Sequence, residues 1–181
     1  MKKKYFIFLV LICVLLLLFS LQEKFFQSEN KNQDLSTENY HLEKKKISGH
    51  SMEPLLKDGE EVTVLFNYYH DNPLARNDLV SISFKTQPQK LYVKKLVGLP
   101  SDKIEIKEGK IYLNGELLKN SVGETYLISE KGANLLLKPL NNQRIADGYF
   151  LVLSETVSPA SFDSRYFGYL EKTHILGKVI K

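Results

Sequence analysis

The run Tyr5 to Leu21, YFIFLVLICVLLLLFSL, contains no charged residue. At ~1.5 Å rise per residue, a helix of that length just crosses a hydrocarbon core of ~30 Å. The chain is thereby partitioned: residues 5–21 are expected to form a single transmembrane helix, and whatever folds in water lies after it. Lys2, Lys3 and Lys4 precede the run, and Gln22-Glu23-Lys24 follows it. By the positive-inside rule this places residues 1–4 in the cytoplasm and the remainder outside, in a single-pass arrangement at the cell membrane. Lys44 to Lys46 lie too far downstream to reverse it. A cleaved signal peptide is the competing reading, but the run exceeds a usual apolar core and no Ala-x-Ala-like site follows it. Cys13, the only cysteine, follows Ile12 where a lipoprotein site would require a small residue, and reads as a small hydrophobe in lipid.

Residues 22–46, QEKFFQSENKNQDLSTENYHLEKKK, are polar and without sustained helical periodicity, which reads as a tether. The rest of the 181 residues suffices for one domain, expected over 47–181. Having no cysteine, that domain must hold together by packing. The net charge of +4 is modest, and the basic residues lie in short clusters without zinc-finger spacing or a ribonucleoprotein-like aromatic motif, so nucleic acid is not an expected partner.

Short β-rich runs punctuated by turn residues predict a mainly β fold of antiparallel sheets: Val62 to Phe66, Leu79 to Phe84, Leu91 to Val97, Lys103 to Ile106, Lys110 to Leu113, Thr125 to Ile128, Tyr149 to Leu153 and Ile175 to Ile180. Glu108-Gly109 and Asn114-Gly115 are suited to two successive hairpin turns, since both dipeptides tolerate positive φ. Residues 119–147 are weakly patterned and read as a smaller inserted excursion.

Two stretches carry candidate chemistry. In Ile47-Ser48-Gly49-His50-Ser51-Met52-Glu53-Pro54, Gly49 permits an unusual backbone angle and Pro54 stiffens the following turn. A turn there would present the Ser51 hydroxyl, and the Ser51 N–H could face a substrate carbonyl oxygen. A serine needs a neighbour that takes its proton, and a lysine kept neutral in an apolar pocket serves where no histidine is placed. Lys94 and Lys95 sit in the apolar run Tyr92 to Val97; on a strand they point to opposite faces, so one of them can face Ser51. Alternation does not choose between them. As possible bases, His41 lies in the tether, His50 is adjacent to Ser51 on the chain, and His70 and His174 fall in loop-like contexts. No His/Asp/Glu group has metal-ligand spacing and there is no Gly-rich phosphate loop, so neither a metal nor a cofactor is expected.

Taken together, the chain resembles the type I signal peptidases of the one-anchor, Gram-positive kind, from the N-terminal run to the C-terminus. The family's Ser-Met-x-Pro box matches Ser51, Met52 and Pro54; its Gly-Asp-Val-Val-like strand matches Asn77-Asp78-Leu79-Val80; its Tyr-Val-Lys-Arg-x-x-Gly-Leu-Pro-Gly-Asp box matches Tyr92 to Asp102; its Ser-x-Asp-Ser-Arg-x-x-Gly box matches Ser161, Asp163, Ser164, Arg165 and Gly168. The resemblance implies a signal-peptidase-like β fold and a Ser-Lys dyad with Ser51 as nucleophile and Lys94 as base. It further implies Ser161 as a residue orienting the base, and Asp163 with Arg165 as a supporting ion pair. Signal peptides of exported preproteins are the implied substrates, and the lipids of the cytoplasmic membrane the implied surroundings, with Met52 and its apolar neighbours at the interface.

There are departures from the pattern. Leu55 stands where a threonine is usual, Ser101 replaces the second glycine of Gly-Leu-Pro-Gly-Asp, Gly49 replaces an oxyanion-side serine found in some relatives, and Ser154 to Pro159 replaces a Gly-Asp-Asn-Arg segment. Glu155 and Lys95 are then expected to form a replacement pair. Such divergence suits a paralogue with narrow substrates, pilins or surface proteins among them. The alternative reading is a non-proteolytic assembly factor for such proteins.

Overall fold

The computed structural model describes residues 40–140 and 142–181. The expected N-terminus at 1–4, the anchor at 5–21, Cys13 and residues 22–39 of the tether lie outside the described residues. Among the described residues, no helix is long and apolar enough to cross a membrane.

In chain order the strands are β1 (His41–Lys46), β2 (Glu61–Phe66), β3 (Leu79–Phe84), β4 (Gln87–Gly98), β5 (Ile104–Lys107), β6 (Lys110–Leu113), β7 (Glu116–Leu117), β8 (Tyr149–Leu153), β9 (Leu170–Glu171) and β10 (Ile175–Ile180). The helices are α1 (Tyr68–Asp71), α2 (Glu130–Leu137) and α3 (Ser164–Phe167). A seven-stranded sheet runs β1-β2-β10-β3-β4-β8-β9, and a three-stranded sheet runs β5-β6-β7. All pairings are antiparallel, which is the mainly β class expected.

The first strand is a correction. The tether expected to reach residue 46 ends earlier, because His41 to Lys46 pair residue by residue with Phe66 to Glu61. This edge strand has only Leu42 as an aliphatic residue, and even that is exposed. It is held by backbone bonds to β2 and has no apolar alternation to reveal it.

The small sheet follows its turn chemistry. Glu108 and Gly109 both have positive φ and close β5 onto β6 with Lys107 opposite Lys110; Asn114 and Gly115 do the same between Leu113 and Glu116. The expected strand Thr125 to Ile128 is reduced to isolated bridges, Lys110 with Leu127 and Lys119 with Thr125. Its side chains do alternate, with Tyr126 and Ile128 buried, but its N–H groups go to three separate loops, at Leu118, Val157 and Gly109. The excursion also extends further back than residue 119. Ile104, Ile111 and Leu113 of the small sheet share one core with Tyr126, Ile128, Leu136 and Ile145, and this core abuts Leu151 and Leu153 of the main sheet.

Two further cores flank the main sheet's centre. Val80, Ile82, Leu96, Phe150 and Val152 bury with Tyr69 and Leu170. Ile47, Met52 and Leu56 bury with Val62, Val64 and Val179. β4 pairs with β8 only from Lys95 onward, so among the described residues one edge of its stretch 87–94 is open. That edge ends beside Lys94.

Candidate active site

Ser51 sits in a tight turn between β1 and β2. Gly49, at φ +92°, adopts the left-handed region that favours glycine, and its N–H donates to Asp58 Oδ1 at 2.8 Å. Ile47 donates to the Glu60 carbonyl and accepts from Gly59, each at 2.9 Å, closing the base of the loop. Ser51 is exposed while Met52, only 2% exposed, is sunk in the core beneath it. Burial of Met52 corrects the expectation that it meets the membrane interface: it pins the turn that carries Ser51.

Lys94 approaches from β4. Its Nζ lies 3.5 Å from Ser51 Oγ, long for a hydrogen bond but within the range by which unliganded sites commonly exceed their working geometry. Lys94 is 3% exposed and has no carboxylate partner among the described residues. Burial lowers its pKa to about 8 from 10.5; Asp163 partly opposes this shift and Arg165 adds to it. The ammonium is thus poised to lose its proton near neutral pH.

Lys95, one residue on, is buried too, at 7% exposure, but it turns to Glu155 and pairs with its carboxylate. Alternation along β4 separates the two lysines: Lys94 lies opposite Val80, Lys95 opposite Leu79 and Leu153. Glu155 Oε2 also accepts the Ser121 N–H at 2.7 Å. Burial pushes the Glu155 carboxyl up, but Lys95 and the Ser121 contacts outweigh it and leave the pKa below the ordinary value.

Asp163 and Arg165 form a second buried pair, Nη2 to Oδ2 at 2.6 Å, with both side chains fully shielded. Asp163 caps α3 by accepting the Arg165 N–H, and it also accepts the Ser154 N–H at 2.9 Å. Arg165 donates to the carbonyls of Thr156 (2.6 Å) and Val157 (2.9 Å) and stacks its guanidinium 5.1 Å from the Tyr126 ring centre. One ion pair therefore fixes the whole segment 154–157. Gly132 of α2 meets it from behind, where an added Cβ would come within 2.5 Å of the Arg165 carbonyl oxygen.

Ser161 lines the same cleft as Ser51 and Lys94, a concavity of about 600 Å³. Its hydroxyl donates to the Thr156 carbonyl at 3.3 Å and is not bonded to Lys94. Residues 45 and 46, expected in the tether, also line the cleft, as does Ser81 of β3. No periodic or motif signal marks them; the pairing of β1 with β2 brings the first two there. Among the described residues no group of His, Cys, Asp or Glu could hold a metal ion.

A serine beside a buried lysine of lowered pKa, at the end of an open strand edge, has the chemistry to act as nucleophile and base on an extended chain. The chain matches the family model described as signal peptidase, peptidase S26, over residues 3–181, and it belongs to that family. It is accordingly a peptidase of the serine class. It is 34% identical over 142 residues to signal peptidase IB of Staphylococcus aureus, covering 74% of this chain and 73% of that one. It is also 32% identical over 142 residues to signal peptidase I of Bacillus caldolyticus, covering 74% of each. A crystal structure of a signal peptidase I from Enterococcus faecalis superposes with a TM-score of 0.40 at 20% identity, over 60% of this chain and 98% of that one.

Proposed function

We propose that this chain is a membrane-anchored endopeptidase that removes signal peptides from exported preproteins, with Ser51 as nucleophile and Lys94 as general base. The observation that carries the reading is the approach of Lys94 Nζ to Ser51 Oγ, 3.5 Å, from a site where burial favours the neutral amine. The uncharged run at 5–21 and the lysines before it support a single cytoplasm-to-outside span with the catalytic domain on the outer face. Anchoring enzyme and preprotein in one membrane raises their effective concentration.

An extended substrate would add to the open edge of β4, main-chain bonds giving affinity and the cleft selecting side chains. Neutral Lys94 takes the Ser51 proton as Oγ attacks the scissile carbonyl. The Ser51 N–H, which has no acceptor among the described residues, stabilises the oxyanion. Lys94 then protonates the leaving amine, and water, deprotonated by the same lysine, releases the acyl group. Ser161 and the Asp163–Arg165 pair act by holding the cleft wall.

The test is cleavage of a synthetic signal peptide with an Ala-x-Ala site by the full chain in detergent, beside its Ser51→Ala variant. Turnover should fall by about a thousandfold or more in the variant. Turnover retained near the wild-type rate would remove Ser51 from the mechanism.

A further inference from the structure

Among the described residues, the cleft beside Ser51 is lined by basic side chains and by no carboxylate. Lys45, Lys46, His50 and Lys90 line it together with Lys94, and neither Asp nor Glu does. Two of these side chains are answered locally: Lys45 pairs with Glu43, and His50 Nδ1 lies 2.9 Å from Glu53 Oε1. Lys46 and Lys90 form no ion pair among the described residues; Lys46 stands opposite Glu61, whose carboxylate Lys44 holds at 2.8 Å, and the Lys90 ammonium lies over the Tyr92 ring, 4.9 Å from its centre. They come from different strands, β1 and β4, so their convergence on one cleft is a product of the fold.

We propose that this site selects substrates bearing a carboxylate side chain within about four residues of the scissile bond, with Lys46 and Lys90 as the specificity-determining contacts. The proposal rests on the peptidase reading above. Lys90 precedes Lys94 by four positions on an extended strand, ~13 Å at ~3.3 Å per residue. A substrate strand laid along the open edge therefore places a residue about that many positions from the cut beside the Lys90 ammonium.

Peptides identical except for Glu, Gln or Lys at successive positions within about six residues of an Ala-x-Ala site separate this from a charge-blind cleft. They are offered to the full chain in uncharged detergent. At one or two positions the Glu peptide should exceed the Gln peptide in kcat/KM by about two- to tenfold, with Lys slower still. The ratio should shrink in about 0.5 M salt and collapse towards one in the Lys46→Gln/Lys90→Gln double variant. Binding of the same peptides to Ser51→Ala, followed by fluorescence anisotropy, should show the same order without turnover. Equal rates and affinities for the three peptides, or a Glu preference that survives the double variant, would overturn the proposal. Failure of the peptidase reading shows separately, as absence of cleavage of every peptide while anisotropy still ranks them.

Discussion

The backbone N–H of Glu155 donates to the carbonyl oxygen of Ser51 at 2.8 Å, and the carboxylate of the same residue pairs with Lys95, next to Lys94 on β4. Glu155 thus joins the turn that presents the hydroxyl to the strand that presents the amine. Asn120 Nδ2 donates to the Glu155 carbonyl at 3.0 Å, so the excursion clasps this junction from outside.

Glu155→Gln should therefore destabilise the fold, since it leaves the buried Lys95 without a counter-charge; breaking such a pair costs roughly 3–5 kcal/mol. Adding Lys95→Met should recover much of the loss. Urea unfolding of the four proteins in a double-mutant cycle measures it, and additive effects would show that the two residues are not coupled.

Asp163→Ala should lower both the melting temperature and the turnover. It strands the fully shielded Arg165 and removes the acceptor of the Ser154 N–H. Thermal unfolding followed by circular dichroism reads this, and an unchanged melting temperature would contradict the structural role assigned to the pair.

Lys94 carries a stability signature of its own. With its folded pKa at about 8 and its ordinary value at 10.5, the native state sheds this proton before the unfolded state does. Stability from this residue should rise with pH between those values, and below the lower one the penalty of the buried ammonium is fully present. At pH 7 Lys94→Met should be the more stable protein, by about 3 kcal/mol at most, the advantage fading as pH rises towards 10.5. A less stable Lys94→Met at pH 7 would mean that the ammonium has a compensating partner.

Strand positions were legible wherever at least one face is apolar. Leu79–Phe84, Lys110–Leu113, Tyr149–Leu153 and Ile175–Ile180 have the bounds that their β-rich runs define. His41–Lys46 was not legible, because an edge strand with both faces polar leaves no periodic trace. The site divides along the same line. Ser51 and Lys94 stand in recognisable boxes, and the opposite facing of Lys94 and Lys95 follows from strand alternation. Burial of Lys95 does not follow from alternation; its partner Glu155, 60 positions away, was legible only through the departures from the family pattern at both positions, and the structure bears that pair out. The basic lining of the cleft was hidden, since Lys46 and Lys90 meet only through the sheet.

The central claim is that a neutral Lys94 activates Ser51, and the pH dependence of kcat/KM on a signal-peptide substrate tests it most directly. For the wild-type chain the rate should climb about tenfold per unit at low pH and level off above about 8. Lys94→Arg, whose guanidinium does not deprotonate, should be inactive at every pH; Lys95→Arg, which keeps a cation for Glu155, should preserve most of the activity and the same profile. A profile flat across this range, or an active Lys94→Arg beside a dead Lys95→Arg, would contradict the account.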